Sequence, residues 1–365
     1  MKIALIRRQF AATGGAELYL QRLIKALAEG GHEVHLFAEK WEGAPEAVKL
    51  HPVPVKAVRA QRPVVFAEAV ARQVKAEPFD VVFSLERTVT QDVYRAGDGL
   101  HRVWLEQRQR YASWWRRPFV GSGAFHRNMM ALEARTFDPR NTRHVIVNSN
   151  MVKDEILRHF QFPEERIHLV RNGVNVRRFR SGDRAEVRRR FGLRAEDYVL
   201  LFVGSGWERK GLPFLLRLMK RYESSQPGVK LLVVGKGRRQ GKTPANIVYG
   251  GSMPDVENAY AAADLLTFLP IYEPSSNVVS ESLAAGLPVI TSRFNGASEL
   301  IEARINGQVL DEPSDTDLLE RAVNDWRGRG PVRVPAGKTP LDLERNVRET
   351  LAVLELAARE RAAAR

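Results

Sequence analysis

The stretch from 264 to 302 most constrains how this chain can fold. It begins with an apolar run, Leu265 to Pro270, which is typical of a buried strand. Small and apolar residues follow and predict a short buried helix, which Gly286 and Pro288 would end. The next apolar run, PVIT, predicts another strand. A strand, a helix and a second strand in this order predict a parallel sheet.

Two glutamates flank the start of the predicted helix. Glu273 precedes it, and Glu281 lies about one turn inside it. In parallel sheets, ligands bind beyond the carboxyl ends of the strands, against helix N-termini, so the loop at 275–277 could offer free backbone N–H groups to an anion. A carboxylate at Glu281 could accept hydrogen bonds from a sugar diol. For either glutamate alone, a favourable interaction with the positive helix end is the simpler explanation.

The whole string EPSSNVVSESLAAGLPVI resembles the E-x7-E signature of retaining, nucleotide-sugar-dependent glycosyltransferases of family 4. The family often has glycine where Ser276 stands. The resemblance implies that Glu281 binds the ribose hydroxyls and that Glu273 contacts the transferred sugar, as a catalytic residue with a positioning and electrostatic role. It also implies donor contacts from Ser276 and from the backbone N–H groups of Asn277 and Val278.

The same resemblance implies an α/β fold of the GT-B architecture. That architecture has two doubly wound Rossmann-like domains facing a cleft, with a C-terminal helix that crosses back to the first domain. The length of 365 residues favours two domains, and strands alternate with helices in both halves. We expect an N-terminal Rossmann-like acceptor domain at 1–175, a C-terminal nucleotide-sugar donor domain at 176–345, and a helix at 346–365 packing on the first domain.

Two glycines follow the first predicted strand, KIALI. Gly14 and Gly15 have no Cβ atom, so the backbone could approach a ligand closely there. The spacing is not G-x-G-x-x-G, so a dinucleotide fingerprint is absent, and the pair alone indicates an ordinary tight turn. The string GGAE before a helix resembles the N-terminal element of the family, which implies that this loop reaches the donor.

A nucleotide-sugar donor leaves negative charge on a diphosphate, and this charge must be stabilised by a metal or by cationic side chains. The formal D-x-D at 315–317 precedes an amphipathic helix and favours an N-cap. His32 and His35 lie around a strand with mixed sides, so we expect no metal site and no other cofactor. The nucleotide sugar itself is a co-substrate.

The cationic alternative lies in the loop SGWERKG, which follows a predicted strand. Arg209 and Lys210 could be two solvated surface charges, but their position after a strand and their resemblance to an R-K-G element of the family favour diphosphate contacts. We therefore assign Gly204, Ser205, Arg209 and Lys210 to donor binding, with Lys210 also catalytic.

Two further loops are less specific. Asp98, after a short apolar segment, is a catalytic candidate that would orient the attacking hydroxyl of the acceptor, although an aspartate in a turn explains it nearly as well. The glycines around Lys236 could form a second phosphate-side loop or a flexible basic turn. In the resembled family the acceptor attacks on the face from which the phosphate leaves, and that phosphate takes the acceptor's proton.

The composition is strongly basic, with 57 Lys and Arg against 43 Asp and Glu and a net charge of +14. Such a charge fits nucleic acid, an anionic membrane or phosphorylated substrates. The absence of Cys excludes disulfides, and no run approaches the length of a transmembrane helix. The N-terminus gains charge too early for a signal peptide. We identify no nucleic-acid-binding module and expect no nucleic-acid partner.

A basic, aromatic segment spans residues 101–127. Trp and Tyr favour the headgroup region of a membrane, and Arg is drawn to anionic lipid. We therefore expect peripheral binding to an anionic membrane surface through this segment. Aromatic packing onto its own domain and base stacking on a single strand are alternative interpretations.

Short motifs narrow the expected reaction. KWEG after the second strand and YRAGD before the basic segment resemble the lipopolysaccharide core glucosyltransferases within family 4. This resemblance implies transfer of glucose from UDP-glucose to a lipid-linked saccharide such as the lipopolysaccharide inner core, by a cytoplasmic enzyme at the inner membrane. Another lipid or small-molecule acceptor, a sugar-nucleotide epimerase of the same fold, and a basic nucleic-acid-binding protein are the alternatives.

Overall fold

A computed structural model describes residues 1–10, 15–42, 48–239, 243–332 and 343–364. The chain forms two compact units, Met1–Arg171 with Glu344–Arg365 and Asn172–Leu343. The divisions therefore fall at 171 and 343, where the sequence interpretation placed them at 175 and 345.

The first unit contains a seven-stranded parallel sheet of order β5-β3-β1-β6-β7-β8-β9 and a two-stranded sheet of β2 and β4. Its strands are β1 Lys2–Ile6, β2 Gln9–Phe10, β3 Glu33–Ala38, β4 Lys40–Trp41, β5 Val48–Pro52, β6 Val81–Ser84, β7 Gln91–Arg95, β8 Thr142–Val147 and β9 Ile167–Leu169. Its first five helices are α1 Gly15–Glu29, α2 Arg62–Lys75, α3 His101–Arg110, α4 Ala124–Thr136 and α5 Asn150–His159, with 3₁₀ turns at Arg117–Phe119 and Glu164–Arg166.

Alternation along the strands gives this sheet a core on each face. Ile3 and Leu5 pack in one cluster with Leu23 of α1, while Ala4 and Ile6 pack in another with Phe66 of α2. Successive strand residues point to opposite faces, so a continuously apolar strand indicates that both faces are covered. All of β1 after Lys2 is buried, as its sequence predicts.

The second unit contains a six-stranded parallel sheet of order β12-β11-β10-β13-β14-β15. Its strands are β10 Tyr198–Val203, β11 Val229–Val234, β12 Ile247–Gly251, β13 Leu265–Phe268, β14 Val289–Ser292 and β15 Gly307–Leu310. Its helices are α6 Val176–Arg180, α7 Arg184–Arg190, α8 Leu212–Ser225, α9 Val256–Ala262, α10 Asn277–Ala284 and α11 Thr316–Trp326, with a 3₁₀ turn at Gly296–Leu300.

The direction of winding reverses between β10 and β13. From β10 the chain adds β11 and β12 on one side and then returns to add β13, β14 and β15 on the other. Such a reversal opens a crevice beyond the carboxyl ends of the two central strands, where doubly wound sheets bind their ligands. Two parallel sheets of this kind confirm the predicted α/β fold class with two Rossmann-like domains.

The last helix, α12 Leu343–Ala363, belongs to the first unit. Val353, Leu354 and Ala357 lie in the same apolar cluster as Ile3, and Arg361 donates to Asp92 at 2.6 Å. This packing confirms the predicted return of the C-terminal helix to the first domain.

Some elements differ from expectation. The sequence HVIVNSN at 144–150 is typical of a strand, but β8 ends at Val147, because the Ser149 hydroxyl accepts a hydrogen bond from the Val152 N–H and caps α5. The short edge strands β5 and β15 were not predicted. Neither has the continuous apolar run that marks the central strands.

Candidate active site

The loops after β10 and β13 lie side by side at the switch point of the second sheet. The Ile271 N–H donates to the Arg209 carbonyl at 2.9 Å and ties the two loops together. Gly211 has φ of 82°, and a Cβ there would come within 1.8 Å of the Leu269 carbonyl oxygen. Only glycine allows this approach, so the loop that carries Arg209 and Lys210 is fixed against the end of β13.

Arg209 and Glu273 form an ion pair across these loops. Arg209 Nη1 donates to Glu273 Oε2 at 2.7 Å and to the Tyr272 carbonyl at 3.1 Å. The two side chains are 37% and 17% exposed, respectively. Arg209 is therefore partly buried and hydrogen-bonded rather than fully solvated.

Lys210 lies in the same crevice, partly buried. Its Nζ is 5.6 Å from the centroid of Phe268, and a Cβ on Gly204 would come within 2.8 Å of it. Burial lowers the pKa of Lys210, while Glu273 and Glu281 oppose that shift. Lys210 forms no ion pair within 4.0 Å among the described residues, so the structure holds a partly desolvated cation beside two carboxylates.

Side-chain amides shape the loop before α10. Buried Asn295 accepts a hydrogen bond from the Ser276 N–H at 3.2 Å. Asn172 donates to the Ser275 carbonyl at 3.1 Å and to Asn277 Oδ1 at 3.0 Å. The first turn of α10 is thus held in place, with its backbone N–H groups at the carboxyl end of the sheet, where they have no intrahelical acceptors.

Ser276 departs from the family pattern without backbone strain. Its φ is −74°, a value that any residue adopts, so no glycine is required there. Its hydroxyl is buried and has no hydrogen-bond partner among the described residues. The backbone path expected for a glycine is therefore compatible with serine.

Glu281 projects from the second turn of α10 and is partly buried. The Tyr260 hydroxyl donates to its Oε2 at 2.7 Å. Burial raises the pKa of Glu281, and the Tyr260 hydrogen bond and the charges of Arg178 and Lys210 oppose that shift. Within the described ranges the other carboxylate oxygen accepts no hydrogen bond, so it can accept one from a ligand.

An aromatic stack that the sequence interpretation missed lies beside these groups. The Trp207 and Tyr249 rings stack with centroids 5.6 Å apart, and the Arg239 guanidinium lies 4.4 Å from the Tyr249 centroid. Trp207 Nε1 donates to the Gly204 carbonyl at 3.1 Å, and its ring leaves no room for a Cβ on Gly237. The alternation of strands and helices in the sequence does not reveal this stack, because its members come from separate segments: the loops after β10 and β11 and the strand β12. Tyr260, Asn172 and Asn295 were missed for the same reason.

Both aspartates of the formal D-x-D motif make contacts within the protein. Asp315 Oδ1 accepts hydrogen bonds from the N–H groups of Asp317 and Leu318, both at 2.9 Å, and caps α11. Asp317 forms an ion pair with Arg221. The predicted N-cap is confirmed.

The candidates in the first unit are less enclosed. Asp98 is exposed in a turn before Gly99, which has φ of 64°. Nearby Glu86 has a raised pKa because of burial, with Asp98 adding to the shift and Arg7 opposing it. Gly15 begins α1, whereas Gly14 lies outside the described residues.

The basic, aromatic segment at 101–127 divides into two kinds of aromatic residue. Trp104 is partly buried, with its ring centroid 5.3 Å from that of His101. Trp114, Trp115 and Phe119 are exposed by 81%, 53% and 74%. Packing onto the domain therefore explains only part of the segment. Within the described ranges, no helix is long and apolar enough to cross a bilayer.

Two glycosyltransferase family models match consecutive parts of the chain. Residues 13–178 match the model of Glycosyltransferase Family 4, and residues 183–331 match that of Glycosyl transferases group 1. The chain is 26% identical over 350 residues to the lipopolysaccharide glucosyltransferase WaaG of Escherichia coli K12, covering 92% of this chain and 91% of that protein.

Solved structures of similar proteins share the fold of this chain. The crystal structure of WaaG, a glycosyltransferase involved in lipopolysaccharide biosynthesis, superposes with a TM-score of 0.75 and 25% identity, covering 99% of this chain and 98% of that one. The Anabaena protein Alr3699/HepE, crystallised with UDP and glucose, superposes with a TM-score of 0.69 at 18% identity over 97% and 99% of the two chains. The latter likeness concerns the fold alone.

Proposed function

The chain belongs to the family 4 and group 1 glycosyltransferases of GT-B fold, and from this premise we propose that it transfers glucose from UDP-glucose, with retention of configuration, to a lipid-linked saccharide such as the lipopolysaccharide inner core. The observation that carries the proposal is the convergence of Arg209, Lys210 and the start of α10 at the switch point of the second sheet. These groups supply the positive charge that a departing diphosphate requires.

We assign each donor-binding residue a role. Lys210 and Arg209 bind the diphosphate, with Gly204 and Ser205 forming the backbone beside it. Glu281 accepts hydrogen bonds from the ribose hydroxyls, and the Tyr260 hydroxyl orients that carboxylate. Glu273 positions the transferred sugar while it holds Arg209 in place. The N–H groups of Asn277 and Val278 contact the sugar or the phosphate.

Retention follows from reaction on one face of the sugar. A double displacement would need a carboxylate nucleophile on the far face, and we assign Glu273 no such role because its Oε2 is held in an ion pair with Arg209. In our proposal the leaving phosphate takes the proton of the acceptor hydroxyl. Asp98 orients that hydroxyl.

The choice of glucose and of a lipid-linked acceptor rests on similarity to WaaG, which is named as a lipopolysaccharide glucosyltransferase. The exposed aromatic residues Trp114, Trp115 and Phe119, interspersed with arginines, support binding to an anionic membrane surface. We place the enzyme at the cytoplasmic face of the inner membrane, bound peripherally.

A donor and acceptor screen tests this function. The purified protein is incubated with UDP- and GDP-sugars, with and without a lipid-core extract, and products are identified by mass and by the anomeric coupling constant in NMR. We expect glucosylated lipid core with the α-configuration of the donor, only from UDP-glucose. Conversion or hydrolysis of the nucleotide sugar at the same rate without acceptor would instead indicate an epimerase.

Asp98 is tested in the same assay. Asp98→Asn keeps the size of the side chain and removes its charge. We expect a lower turnover number with unchanged affinity for UDP, because the residue acts on the acceptor. Unchanged kinetics would assign Asp98 to the turn alone.

A further inference from the structure

Three hydrogen-bonded histidine pairs occur among the described residues of the first unit. The ring nitrogens are 2.8 Å apart in His35–His51, 3.1 Å in His101–His126 and 3.0 Å in His144–His168. In two of these pairs, one histidine also contacts a carboxylate through its other ring nitrogen. Glu33 contacts His35, and Glu360 contacts His144. Among the described residues, a further carboxylate, Glu77, converges only with the pair His35–His51.

In the first pair, three ligand atoms converge. His35 Nε2 is 2.9 Å from Glu33 Oε1, and a proton on Nε2 in that hydrogen bond leaves the lone pair on Nδ1. Nδ1 then faces His51 Nε2 at 2.8 Å and Glu77 Oε2 at 3.9 Å. These three atoms lie within 4.8 Å of one another, and no other described group of three histidines, aspartates or glutamates meets that condition.

We propose that His35, His51 and Glu77 form a binding site for a divalent transition metal of the zinc type. Two imidazoles, one carboxylate and a water molecule complete a four-coordinate site of the kind that zinc adopts. Zinc–nitrogen bonds of ~2.0–2.1 Å place two ligands about 3.3 Å apart in a tetrahedron, so the histidine pair needs to open by only ~0.5 Å. Glu33 orients His35 from behind, as carboxylates do for metal-ligating histidines.

The position of this site suggests a structural role. His35 lies on β3, His51 on the edge strand β5, and Glu77 just beyond the end of α2. The His51 ring stacks on Phe37 at 4.5 Å, and His35 meets Phe79 edge-on at 5.1 Å, so the imidazoles are already oriented. A metal would join the edge strand to its neighbour and to α2, and would stabilise the first unit without taking part in transfer.

Two lysines compete with the metal in the metal-free protein. Lys2 Nζ is 3.0 Å from Glu77 Oε2, and Lys49 Nζ is 2.6 Å from Glu33 Oε1. The metal must displace Lys2 from Glu77. Lys2→Gln should therefore bind the metal more tightly than the unaltered protein.

The pair His144–His168 offers a matched control. There, Glu360 Oε2 lies 3.0 Å from Nε2 of His144, while His168 occupies Nδ1. The three groups form a line through both nitrogens of His144 and do not converge. This pair shares the imidazole and carboxylate chemistry of the first, but among the described residues no third ligand converges with it.

The test is a titration of tag-free, chelator-treated protein with Zn²⁺, followed by calorimetry, and with Co²⁺, followed by its visible absorption. We expect one site, with binding lost in His51→Gln and Glu77→Gln, weakened about tenfold in Glu33→Gln, and unchanged in His168→Gln. The melting temperature should rise with Zn²⁺ in the unaltered protein and in His168→Gln, but not in His51→Gln.

Two results would overturn the proposal. One is the absence of Zn²⁺ binding by the unaltered protein. The other is equal binding by His51→Gln, Glu77→Gln and the unaltered protein, which would assign the metal to other histidines. Thermal unfolding of each variant without metal shows whether it folds. If His51→Gln does not fold, Glu77→Gln, at a side chain that is 41% exposed, provides the test.

Discussion

Arg209, Glu273 and Glu281 of the second unit are partly buried, whereas Asp98 and Trp114 of the first unit are exposed. Arg209, Glu273 and Glu281 are held by an ion pair and by a tyrosine hydrogen bond at the switch point of a sheet. In the first unit, Asp98 and Trp114 face solvent. A small ligand of fixed charge favours preorganised, partly desolvated groups, while a large acceptor on a membrane favours an open surface. In our proposal, donor recognition is built into one unit and acceptor recognition into the other.

Loss of the cation at Lys210 should have the largest effect. Lys210→Ala should lower the turnover number by about 10²–10³-fold, because the leaving diphosphate carries most charge in the transition state and partial burial strengthens the interaction. Steady-state kinetics with UDP-glucose measure this. Lys220→Ala, an exposed position on α8, is the control and should be unaffected. Equal effects of the two substitutions would remove Lys210 from the site.

Loss of the carboxylate at Glu281 should have the second-largest effect, a weakening of donor binding. Glu281→Gln should raise the dissociation constant of UDP by about 10–100-fold, since a hydrogen bond to a charged group contributes ~1.5–3 kcal/mol. Tyr260→Phe should weaken UDP binding less, because it removes only the group that orients Glu281. Calorimetry distinguishes the two. A larger effect of Tyr260→Phe would make Tyr260 the primary contact.

The enclosed groups should also set the pH dependence. Burial raises the pKa of Glu281, so donor affinity should fall as the pH decreases through a value above 4.5. Burial lowers the pKa of Lys210, so the alkaline limb of kcat/KM should begin below 10.5. Glu281→Gln should abolish the acid limb. A limb that persists in that variant would belong to another group.

The same shift has a consequence for stability. A carboxyl whose pKa is raised in the folded protein opposes folding above that pKa, and the penalty disappears below the unfolded value. Glu281→Gln should therefore be at least as stable as the unaltered protein at pH 7, although it binds donor less well. Thermal unfolding measures this. A large loss of stability at pH 7 would indicate that the carboxylate is structural.

Removal of metal should have the smallest effect on turnover. Because the positive charge at the switch point comes from Arg209, Lys210 and a helix terminus, treatment with EDTA should leave the initial rate of transfer unchanged. Added Zn²⁺ should raise the melting temperature and leave that rate unaltered. A rate that EDTA abolishes and Mg²⁺ or Mn²⁺ restores would contradict the cationic site.

The sequence predicted the second unit in more detail than the first, for a physical reason. In the stretch 264–302, a strand, a helix start and a glycine stop follow one another within the local chain, so the sequence alone predicts where Glu273 and Glu281 lie relative to the helix. Tyr260 and Asn295 could not, because their contacts depend on packing between distant segments. The pairing of His35 with His51 depends on the register of an edge strand, which the sequence does not specify.

The proposed separation of donor recognition from acceptor recognition between the two units is tested most directly by measuring UDP affinity and vesicle binding on the same two variants. Replacement of Trp114, Trp115, Arg116 and Arg117 by Ser should lower binding to anionic vesicles by roughly 30-fold or more, since each arginine contributes ~1 kcal/mol before the tryptophans are counted, and binding by the unaltered protein should weaken with salt. That variant should keep normal UDP affinity, and Glu281→Gln should show the reverse. If either variant lost both activities, or if the unaltered protein bound neutral and anionic vesicles equally, the account would be contradicted.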